Sequence, residues 1–322
     1  MMSLHNKIPL LTIAIPTYNR PQAIQRQVRI LLPQLTHEIK LIVYDNTSPI
    51  CVESLFTDSE KQKFTICRNP VNIGAEANIC RCFEACCNSE WGYVPGDDDE
   101  LYPDTVKRIL SQIQQYPNAI FINFGCKKTE VLQTEEAYLL AIGRDIQSFS
   151  DALWLSKGVY HTILMHENYY DLNCFSNTFM GQIIFTMSYL KKNKNAPIVR
   201  LETKLFDSAI PGRWDPLIFA KKLFSVYNFW SYAEKKQKGQ KCFLANLVCV
   251  QIGCIFNAIR KKRKEIPVGE IRIILKQLFC LKNPVGCFIK RPLIMSLIIL
   301  YTYFPFGKTI VMSALELYHK IK

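Results

Sequence analysis

Hydrophobic and polar positions alternate with two different periods along the first 125 residues. Short runs rich in β-branched and aromatic residues predict strands at 10–15, 39–44, 64–67, 91–94 and 119–124. Segments of helical period between these runs predict helices at 21–35, 75–87 and 103–116, the last with Pro103 in its first turn. The repetition of strand, helix and strand predicts an α/β fold with a mostly parallel, Rossmann-like sheet and helices on both faces.

The pattern loosens after residue 125. Residues 159–170 predict a strand and a turn, and residues 179–192 predict a helix. From residue 231 onward, basic runs separate long apolar stretches of helical period. We therefore expect a helical, basic and apolar C-terminal appendage over 231–322 rather than more sheet.

Polar residues follow three of the predicted strands at the point where each strand ends. The segments are "PTYNRP" after the first strand, "DNTSP" after the second and "GDDDE" after the fourth. Ligands of parallel sheets bind beyond the carboxyl ends of the strands, so these segments predict a site. No Gly-x-Gly-x-x-Gly follows the first strand and no Gly-x-x-x-x-Gly-Lys occurs in the chain, which excludes a dinucleotide fingerprint and a phosphate-binding P-loop.

The acidic run Asp97 to Glu100 has two interpretations. Neighbouring carboxylates repel one another, but after the flexible Gly96 they suit Mg²⁺ or Mn²⁺, which prefer oxygen ligands and commonly share them with phosphates. Alternatively, the run is a solvated loop whose Asp99 or Glu100 stabilises the N-terminus of the helix near Pro103.

Composition adds a preference for anionic partners. The chain carries 40 Lys and Arg against 27 Asp and Glu, a formal charge of +13, which favours nucleic acid, nucleotides or acidic lipid headgroups. The N-terminal apolar run at 10–15 is too short for a signal peptide, so we expect the thirteen cysteines to be reduced and the protein to be cytoplasmic. Four of them, in "ICRCFEACC", lack paired Cys-x-x-Cys spacing, which favours small buried side chains over zinc or redox chemistry.

Two features suggest contact with a membrane surface. Residues 293–306 carry no charge, but a spanning helix needs about 20 such residues, so the segment predicts either an interfacial helix or a buried one. Basic clusters at 191–194, 221–222 and 260–264 would each be attracted to anionic lipid, at about 1 kcal/mol per Lys or Arg. Solvated surface charge is the alternative for any one cluster.

Four segments in order resemble the N-terminal half of the family 2 glycosyltransferases, which have the GT-A fold. They are "LTIAIPTYNRP", "IKLIVYDNTSP", "NPVNIGAEANICRCFEAC" and "WGYVPGDDDELYPDTV". The forms "NIGAEAN" and "GDDDEL" are most similar to bacterial O-antigen and capsule enzymes, including the abequosyl- and rhamnosyltransferase-like group. The resemblance implies a GT-A domain over 1–230, with a nucleotide-sugar half at 1–125 and an acceptor half at 126–230.

The resemblance also implies site residues and a cofactor, Mn²⁺ or Mg²⁺. The acids Asp97 and Asp99 match the family's Asp-x-Asp motif and would hold the metal, and Asp97 or Asp98 would also face the nucleotide. The other residues implied to bind the nucleotide are Pro16, Thr17, Tyr18, Asn19, Arg20, Asp45, Asn46, Asn72, Gly74 and Asn78.

The general base is less clear, because the Glu-Asp pair that the family usually supplies is missing. Gln182 stands near the expected position and cannot act as a base. Asp171 and Glu167 are the candidate catalytic bases, with His166 as a third, and each of them could instead be an ordinary surface residue. This leaves both the base and the stereochemical outcome open.

Acceptor contacts are predicted at Arg213, Trp214 and Gln182, although Trp214 could equally be a core residue beside an ion pair. The resulting prediction is a glycosyltransferase, peripheral on the cytoplasmic face of the membrane, that extends a lipid-linked polysaccharide. The alternatives are an inactive GT-A membrane scaffold and a basic nucleic-acid-binding protein. A nucleotidyltransferase would need a Gly-rich loop after the first strand, which is absent.

Overall fold

The computed structural model describes residues 8–178, 180–193, 196–207 and 238–262, with short pieces at 220, 222, 269, 271–275, 298–299 and 311. The chain divides into two compact units. The larger comprises Met1–Ile142 and Gln147–Gly212, and the smaller comprises Gly143–Ile146 and Arg213–Lys322. The predicted contacts Arg213 and Trp214, and all of the apolar segment 293–306 except Ile298 and Ile299, lie outside the described residues.

An eight-stranded mixed sheet forms the centre of the larger unit. The strands along the chain are β1 (Leu11–Thr17), β2 (Ile39–Asp45), β3 (Thr65–Arg68), β4 (Trp91–Tyr93), β5 (Glu100–Leu101), β6 (Phe121–Asn123), β7 (Glu130–Leu132), β8 (Gly158–Tyr160), β9 (Ile198–Arg200) and β10 (Phe206–Asp207). Their order in the sheet is β3-β2-β1-β4-β8-β6-β9-β7, and β10 pairs separately with β5. The first four neighbours are parallel, whereas β8 and β7 run antiparallel to their neighbours.

Helices cover both faces of this sheet, which confirms the predicted fold class. The helices of the larger unit are α1 (Pro21–Leu31), α2 (Asp58–Lys61), α3 (Ala75–Cys86), α4 (Thr105–Gln115), α5 (Glu135–Ile142), α6 (Ile146–Leu153), α7 (Thr162–Met165), α8 (Tyr169–Phe175) and α9 (Gly181–Lys192). Leu11, Ile13 and Ile15 of β1 are buried in one core with α1 and α4. On the alternate positions of β1, Thr12 Oγ1 shares a hydrogen bond with Ser89 Oγ, just after α3.

Several predicted boundaries shift for physical reasons. Helix α1 gives way to a 3₁₀ turn at Leu32–Gln34, because Pro33 has no N–H to continue the α-helical hydrogen bonds. Helix α4 begins at Thr105, so Pro103 precedes its first turn instead of lying in it. Residues 159–170 form only the end of β8 and then continue as short helices, because Tyr160 completes the pairing with β4 and β6.

The described part of the smaller unit is mainly one long helix, α10 (Lys238–Lys262), as the apolar pattern predicts. Phe243, Leu247 and Ile255 of this helix are fully buried. Gln251 Nε2 donates a 2.8 Å hydrogen bond to Ala220 O, and Asn246 Nδ2 donates to Gly143 O. Within the described ranges, the helices are too short or too polar to cross a bilayer.

Candidate functional site

The acidic loop, residues 96–99, joins β4 to β5 and lies where the carboxyl ends of β1, β2 and β4 meet. Asp97 is buried in this loop. Its Oδ2 accepts a 2.7 Å hydrogen bond from Thr17 Oγ1 at the end of β1, and its Oδ1 accepts one of 2.6 Å from Arg20 Nη1. The same Arg20 Nη1 lies 2.9 Å from Asp98 Oδ2. Two carboxylates of the loop therefore converge on one positive charge.

Asp99 points to a different partner. Its carboxylate accepts hydrogen bonds from Ser156 Oγ and, at 3.1 Å, from the backbone N–H of Gly96. Gln27 Nε2 of α1 donates to the carbonyl oxygens of Gly96 and Asp99, at 2.6 and 3.3 Å, and so fixes the loop backbone from below. Hydrogen bonds within the chain therefore define the conformation of this loop in the absence of a ligand.

Burial makes ionisation of these acids costly. It raises the pKa of the Asp99 carboxyl to about 6, although the hydrogen bond from Ser156 opposes the change. Burial also raises the pKa of Asp97, against the opposing effects of Thr17 and Arg20. The charges within the chain thus compensate the buried carboxylates only in part, and an additional cation would stabilise their ionised forms.

This donor set fits a divalent cation that shares its ligands with a phosphate. Across the described ranges, no three His, Cys, Asp or Glu side chains converge on a metal position. Mg²⁺ and Mn²⁺ are commonly bound by one or two carboxylates, with waters and substrate phosphates completing the shell. Asp97 and Asp98 are the two acids that already face one cation, the Arg20 guanidinium. The metal role predicted for Asp97 and Asp99 stays a prediction, and the geometry adds Asp98 to the candidates.

The end of β2 carries a buried charge with a defined partner. Asp45 is fully buried, forms an ion pair with Arg68 Nη1 and accepts a 2.8 Å hydrogen bond from the backbone N–H of Ser48. Arg68 ends β3 and was not predicted as a site residue. Its position at the carboxyl end of a parallel strand is the signal that could have identified it.

A network of asparagine amides joins the β2 loop to α3. Asn46 Nδ2 donates to Asn72 Oδ1 at 2.9 Å and to Gly74 O at 3.2 Å. Asn69 Nδ2 donates to Asn46 Oδ1 and to Asn78 Oδ1, at 3.0 and 2.8 Å. The network brings together the side chains of Asn46, Asn72 and Asn78, and part of their hydrogen-bonding capacity is already used within the chain. Their role in nucleotide binding stays a prediction.

The backbone of these loops is unusual at three positions. Asn19 and Thr47 have φ angles of 54° and 66°, and Gly74 has 86°. Positive φ is costly for a β-branched residue such as Thr47, and its hydroxyl compensates by donating to Asn69 O at 2.8 Å. Asn19 N–H donates to Ser48 Oγ at 2.9 Å, which joins the loops after β1 and β2. Such residues cluster at ligand sites more often than elsewhere.

The remaining predicted nucleotide residues line the same edge of the sheet. Pro16 and Thr17 end β1, and Tyr18 is exposed beside them. The backbone N–H of Asn46 donates to Thr17 O at 2.9 Å, so the ends of β1 and β2 are directly joined. The residues that the sequence assigned to the nucleotide therefore lie at one edge of the sheet, in the strand ends, the loops after them and the first turn of α3, while their binding role stays a prediction.

Among the described residues, the candidate bases do not take part in the hydrogen-bond network of these loops. Glu167 and His166 are exposed and Asp171 is half-buried. Within the described residues, neither Glu167 nor Asp171 forms a hydrogen bond or ion pair with the acidic loop. Gln182 is buried, and its Nε2 donates to Leu153 O at 2.8 Å. These assignments remain predictions.

The cysteine cluster of α3 is a packing feature. Cys80, Cys82 and Cys86 are buried, and burial raises the pKa of each thiol. Burial raises the pKa of Cys87 to about 11. A protonated thiol is a poor nucleophile and a poor metal ligand, so this cluster does not contribute chemistry to the site.

Ser156, like Gln27, contacts the acidic loop although the sequence analysis did not indicate it. It is a single serine in "WLSKG", distant in sequence from the loop that it contacts. The antiparallel strand β8, which follows it, brings it to this edge of the sheet. No local motif marks such a contact.

Comparisons with a family model and with curated proteins indicate the same kind of protein. A family model described as glycosyl transferase family 2 matches residues 12–181, more than half of the chain. A protein of Haemophilus influenzae described as an uncharacterized glycosyltransferase is 28% identical over 118 residues. That match covers 37% of this chain and 39% of the relative, well under two thirds of its length.

The fold is also similar to crystal structures of S. aureus TarS 1-349. One has a TM-score of 0.58 at 14% identity and covers 91% of this chain and 90% of that one. The complex with UDP has a TM-score of 0.56 at 14% identity, and the complex with UDP-GlcNAc has 0.53 at 13%, with the same coverage. At these identities the likeness is one of fold.

Proposed function

The chain belongs to glycosyl transferase family 2, and from this premise we propose that it transfers a sugar from a nucleotide-diphosphate sugar to a hydroxyl group of a saccharide. The transferred sugar is a hexose or a deoxyhexose. The acceptor is a growing, lipid-linked bacterial surface polysaccharide of the O-antigen or capsule type. The observation that carries the proposal is the convergence of Thr17, Arg20 and Asp97 where three parallel strands end.

The donor's nucleoside would be held by the loops after β1 and β2. Asp45 and Asn46 would shape the base-binding loop from within, because both side chains are buried and already bonded to Arg68 and to the asparagine amides. Thr17 and Asp97 lie together at the position where the ribose would follow. UDP and UDP-GlcNAc are bound in crystal structures of TarS, a protein of similar fold, which supports a nucleotide-sugar donor here.

The diphosphate would lie against the acidic loop, with a Mn²⁺ or Mg²⁺ ion held by Asp97 together with Asp98 or Asp99. Such an ion acts as a Lewis acid that stabilises negative charge on the departing nucleoside diphosphate. Arg20 already lies between Asp97 and Asp98, so its guanidinium can stay beside the phosphates and donate to them. Both positive charges would therefore act where negative charge develops.

The membrane part of the proposal concerns the second half of the chain. We assign residues 1–230 to the transferase domain and 231–322 to a helical region that holds the protein at the cytoplasmic face of the membrane. The net charge of +13 supports this assignment, because anionic headgroups attract Lys and Arg. A lipid-linked acceptor would place the substrate at the same surface.

The experiment that tests the proposal measures nucleoside diphosphate release. The purified chain would be incubated with UDP-, GDP-, CDP- and dTDP-sugars, Mn²⁺ and a bacterial extract of lipid-linked oligosaccharides. We expect release from sugars of one nucleotide, dependent on both the metal and the extract. Folded protein that releases no nucleotide from any donor would contradict the proposal, and release without the extract would contradict the acceptor assignment.

A further inference from the structure

A pocket lies beside the acidic loop, on the side away from the nucleotide loops. Its cavity volume is about 140 Å³, and the pocket is partly open to solvent. Its walls come from Gly125 after β6, from Trp154 and Lys157 before β8, and from the segment 204–207. Pockets that enclose a drug-sized ligand have volumes of about 300–1,000 Å³, so this smaller, partly open pocket suits a single ring of a larger ligand.

One wall of the pocket is attached to the acidic loop through a single turn. Trp154 precedes the 3₁₀ turn Leu155–Lys157, and Ser156 lies within it. Ser156 Oγ donates to Asp99 and accepts a 2.8 Å hydrogen bond from Gly96 N–H. The two pocket residues Trp154 and Lys157 therefore flank the residue that holds the loop.

The opposite wall is attached to the other end of the same loop. β10 pairs antiparallel with β5, so that Phe206 lies opposite Leu101 and Asp207 opposite Glu100. Tyr102 Oη also donates a 2.7 Å hydrogen bond to Asp207 Oδ1. Hydrogen bonds thus fix both walls relative to the acids that face the donor.

The lining of the pocket is amphipathic. Trp154 is 38% exposed, its ring lies 5.7 Å from that of Phe206, and the ammonium of Lys157 lies 5.5 Å from its centroid. The side chains of Lys204 and Asp207 are 65% and 62% exposed, and their charged atoms lie 4.0 Å apart. An aromatic surface therefore stands next to a donor and an acceptor that remain open to solvent.

Charge in this pocket is nearly balanced. Lys157 Nζ donates to Asp151 Oδ1 at 2.7 Å and to Gly125 O at 3.0 Å, so its charge is compensated within the chain. Lys204 lies beside Asp207. A diphosphate would find no excess of positive charge here. A sugar ring, which has an apolar C–H face and a rim of hydroxyl groups, matches the combination of indole, donor and acceptor.

We propose that this pocket binds one sugar ring of the saccharide acceptor, with Trp154 as the stacking surface and Lys204 and Asp207 as hydrogen-bonding groups. The inference rests on the proposed function and adds to it the part of the chain that recognises the acceptor. The acidic loop separates the two sites: Asp97 faces Thr17 and Arg20, and Asp99 faces the turn that carries Trp154. A ring in the pocket therefore lies across the loop from the nucleotide.

The test uses saturation-transfer NMR with the full chain and methyl pyranosides at millimolar concentration. The panel contains hexoses, 6-deoxyhexoses, N-acetylhexosamines and hexuronic acids. We expect at least one class to bind, Trp154→Ala to weaken its affinity about tenfold, and Trp154→Phe to keep most of it, because the smaller ring still stacks. Lys204→Ala changes an exposed side chain and should weaken binding about threefold, a change that corresponds to one modest hydrogen bond.

The control variant is Tyr170→Ala, which removes another exposed aromatic ring on α8 and should leave saccharide affinity unchanged. Two results would overturn the inference: no pyranoside class binds to the wild-type chain, or Trp154→Ala binds its saccharide with wild-type affinity. Unfolding curves for each variant show whether a loss of saccharide affinity comes from misfolding. Lys204→Ala changes a largely exposed side chain, so its effect on affinity should not depend on the packing of the core.

Titration of nucleotides into the same proteins separates this inference from the proposed function. We expect Trp154→Ala to bind nucleoside diphosphate and nucleotide-sugar as the wild type does. If it loses affinity for the nucleotide-sugar alone, the pocket holds the donor's sugar and the acceptor assignment is wrong. If the wild type binds no nucleotide but still binds saccharide through Trp154, the proposed function fails and the saccharide pocket stands.

Discussion

The two sides of the acidic loop differ in how their polar groups are satisfied. The donor side is formed by the loops after β1, β2 and β3. There the side chains of Asp45, Asn46 and Asn78 are buried, and each forms hydrogen bonds to other groups of the chain. On the pocket side, Lys204 and Asp207 remain largely exposed; they form a long ion pair with each other, and Asp207 accepts one hydrogen bond from Tyr102. The polar groups of the donor side are therefore held by the chain before a ligand binds, whereas the charged groups of the pocket side stay largely in solvent, although hydrogen bonds fix the pocket walls.

This difference has a consequence for recognition. A preorganised site loses little conformational freedom on binding, so its affinity depends on the precise position of a few groups. Exposed side chains can adapt to different hydroxyl patterns, but each contributes less because water competes for it. We therefore expect changes on the donor side to affect both fold and activity, and changes on the pocket side to affect acceptor affinity.

The largest effect is expected from Asp97→Asn on the donor side. This variant keeps the shape of the side chain but removes the charge that faces Arg20 and the proposed metal. The rate of nucleoside diphosphate release should fall about 10²- to 10³-fold, the usual range for loss of one group that stabilises developing charge. Glu100→Gln, at an exposed acid beside the loop, is the control and should keep the wild-type rate. Equal rates for Asp97→Asn and Glu100→Gln would show that Asp97 matters no more to the reaction than an exposed acid.

The next effect concerns the buried ion pair. Arg68→Ala leaves Asp45 buried without its guanidinium partner, and such a change costs about 3–5 kcal/mol when the pair is fully buried. Because the Arg68 side chain is 38% exposed, we expect a smaller loss than this, about 2–3 kcal/mol of unfolding free energy in urea. Lys204→Ala, at the exposed pair on the pocket side, should cost about 0.5 kcal/mol or less. Similar losses for both variants would contradict the comparison of the two sides.

A smaller effect is expected from Asn78→Ala. Its Nδ2 donates to Tyr44 O at 3.0 Å and its Oδ1 accepts from Asn69, so both functions of the amide serve the fold. The variant leaves a buried carbonyl without its donor, which should lower the unfolding free energy by about 1–2 kcal/mol. Nucleotide affinity, measured well below the unfolding midpoint, should change about threefold or less. A large loss of affinity without loss of stability would instead favour direct nucleotide contact.

The smallest effect is expected at His161, which directly follows β8. Burial lowers the pKa of this histidine, although Glu90 opposes the change, so the folded state favours the neutral ring. The stability that it contributes is present above its ordinary pKa of 6.5 and is lost as the pH falls below that value. His161→Phe should therefore reduce the fall in unfolding temperature between pH 7 and pH 5. An unchanged pH dependence would assign the acid sensitivity to other groups.

The same two sides explain what the sequence could predict. Thr17 and Asp45 are the last residues of β1 and β2, and Asp97 lies in the loop after β4, so a parallel sheet brings them together once the strands are recognised. Trp154 and Phe206 belong to segments about 50 residues apart, and they meet only because β8 turns antiparallel and β10 returns to β5. Strand periodicity carries no information about such returns, so Trp154 was missed.

Boundary errors have a similar origin. The helical period of 21–35 continues through Pro33, but the missing N–H of Pro33 ends the α-helix at Leu31. The cluster of acids was identified correctly as a loop at a strand end. Which of its members faces Arg20 depends on side-chain directions in an irregular turn, and Asp98 rather than Asp99 takes that position.

Calorimetric titration of UDP, GDP, CDP and dTDP into the purified chain, with and without Mn²⁺, would show directly whether the acidic loop binds a nucleoside diphosphate through a metal ion. The same titration would be made with the double variant Asp97→Asn, Asp98→Asn and with Glu100→Gln. We expect that one nucleotide binds, that binding requires Mn²⁺, and that only the double variant loses this binding. Failure of every nucleotide to bind folded protein, or equal binding by the double variant, would contradict this expectation.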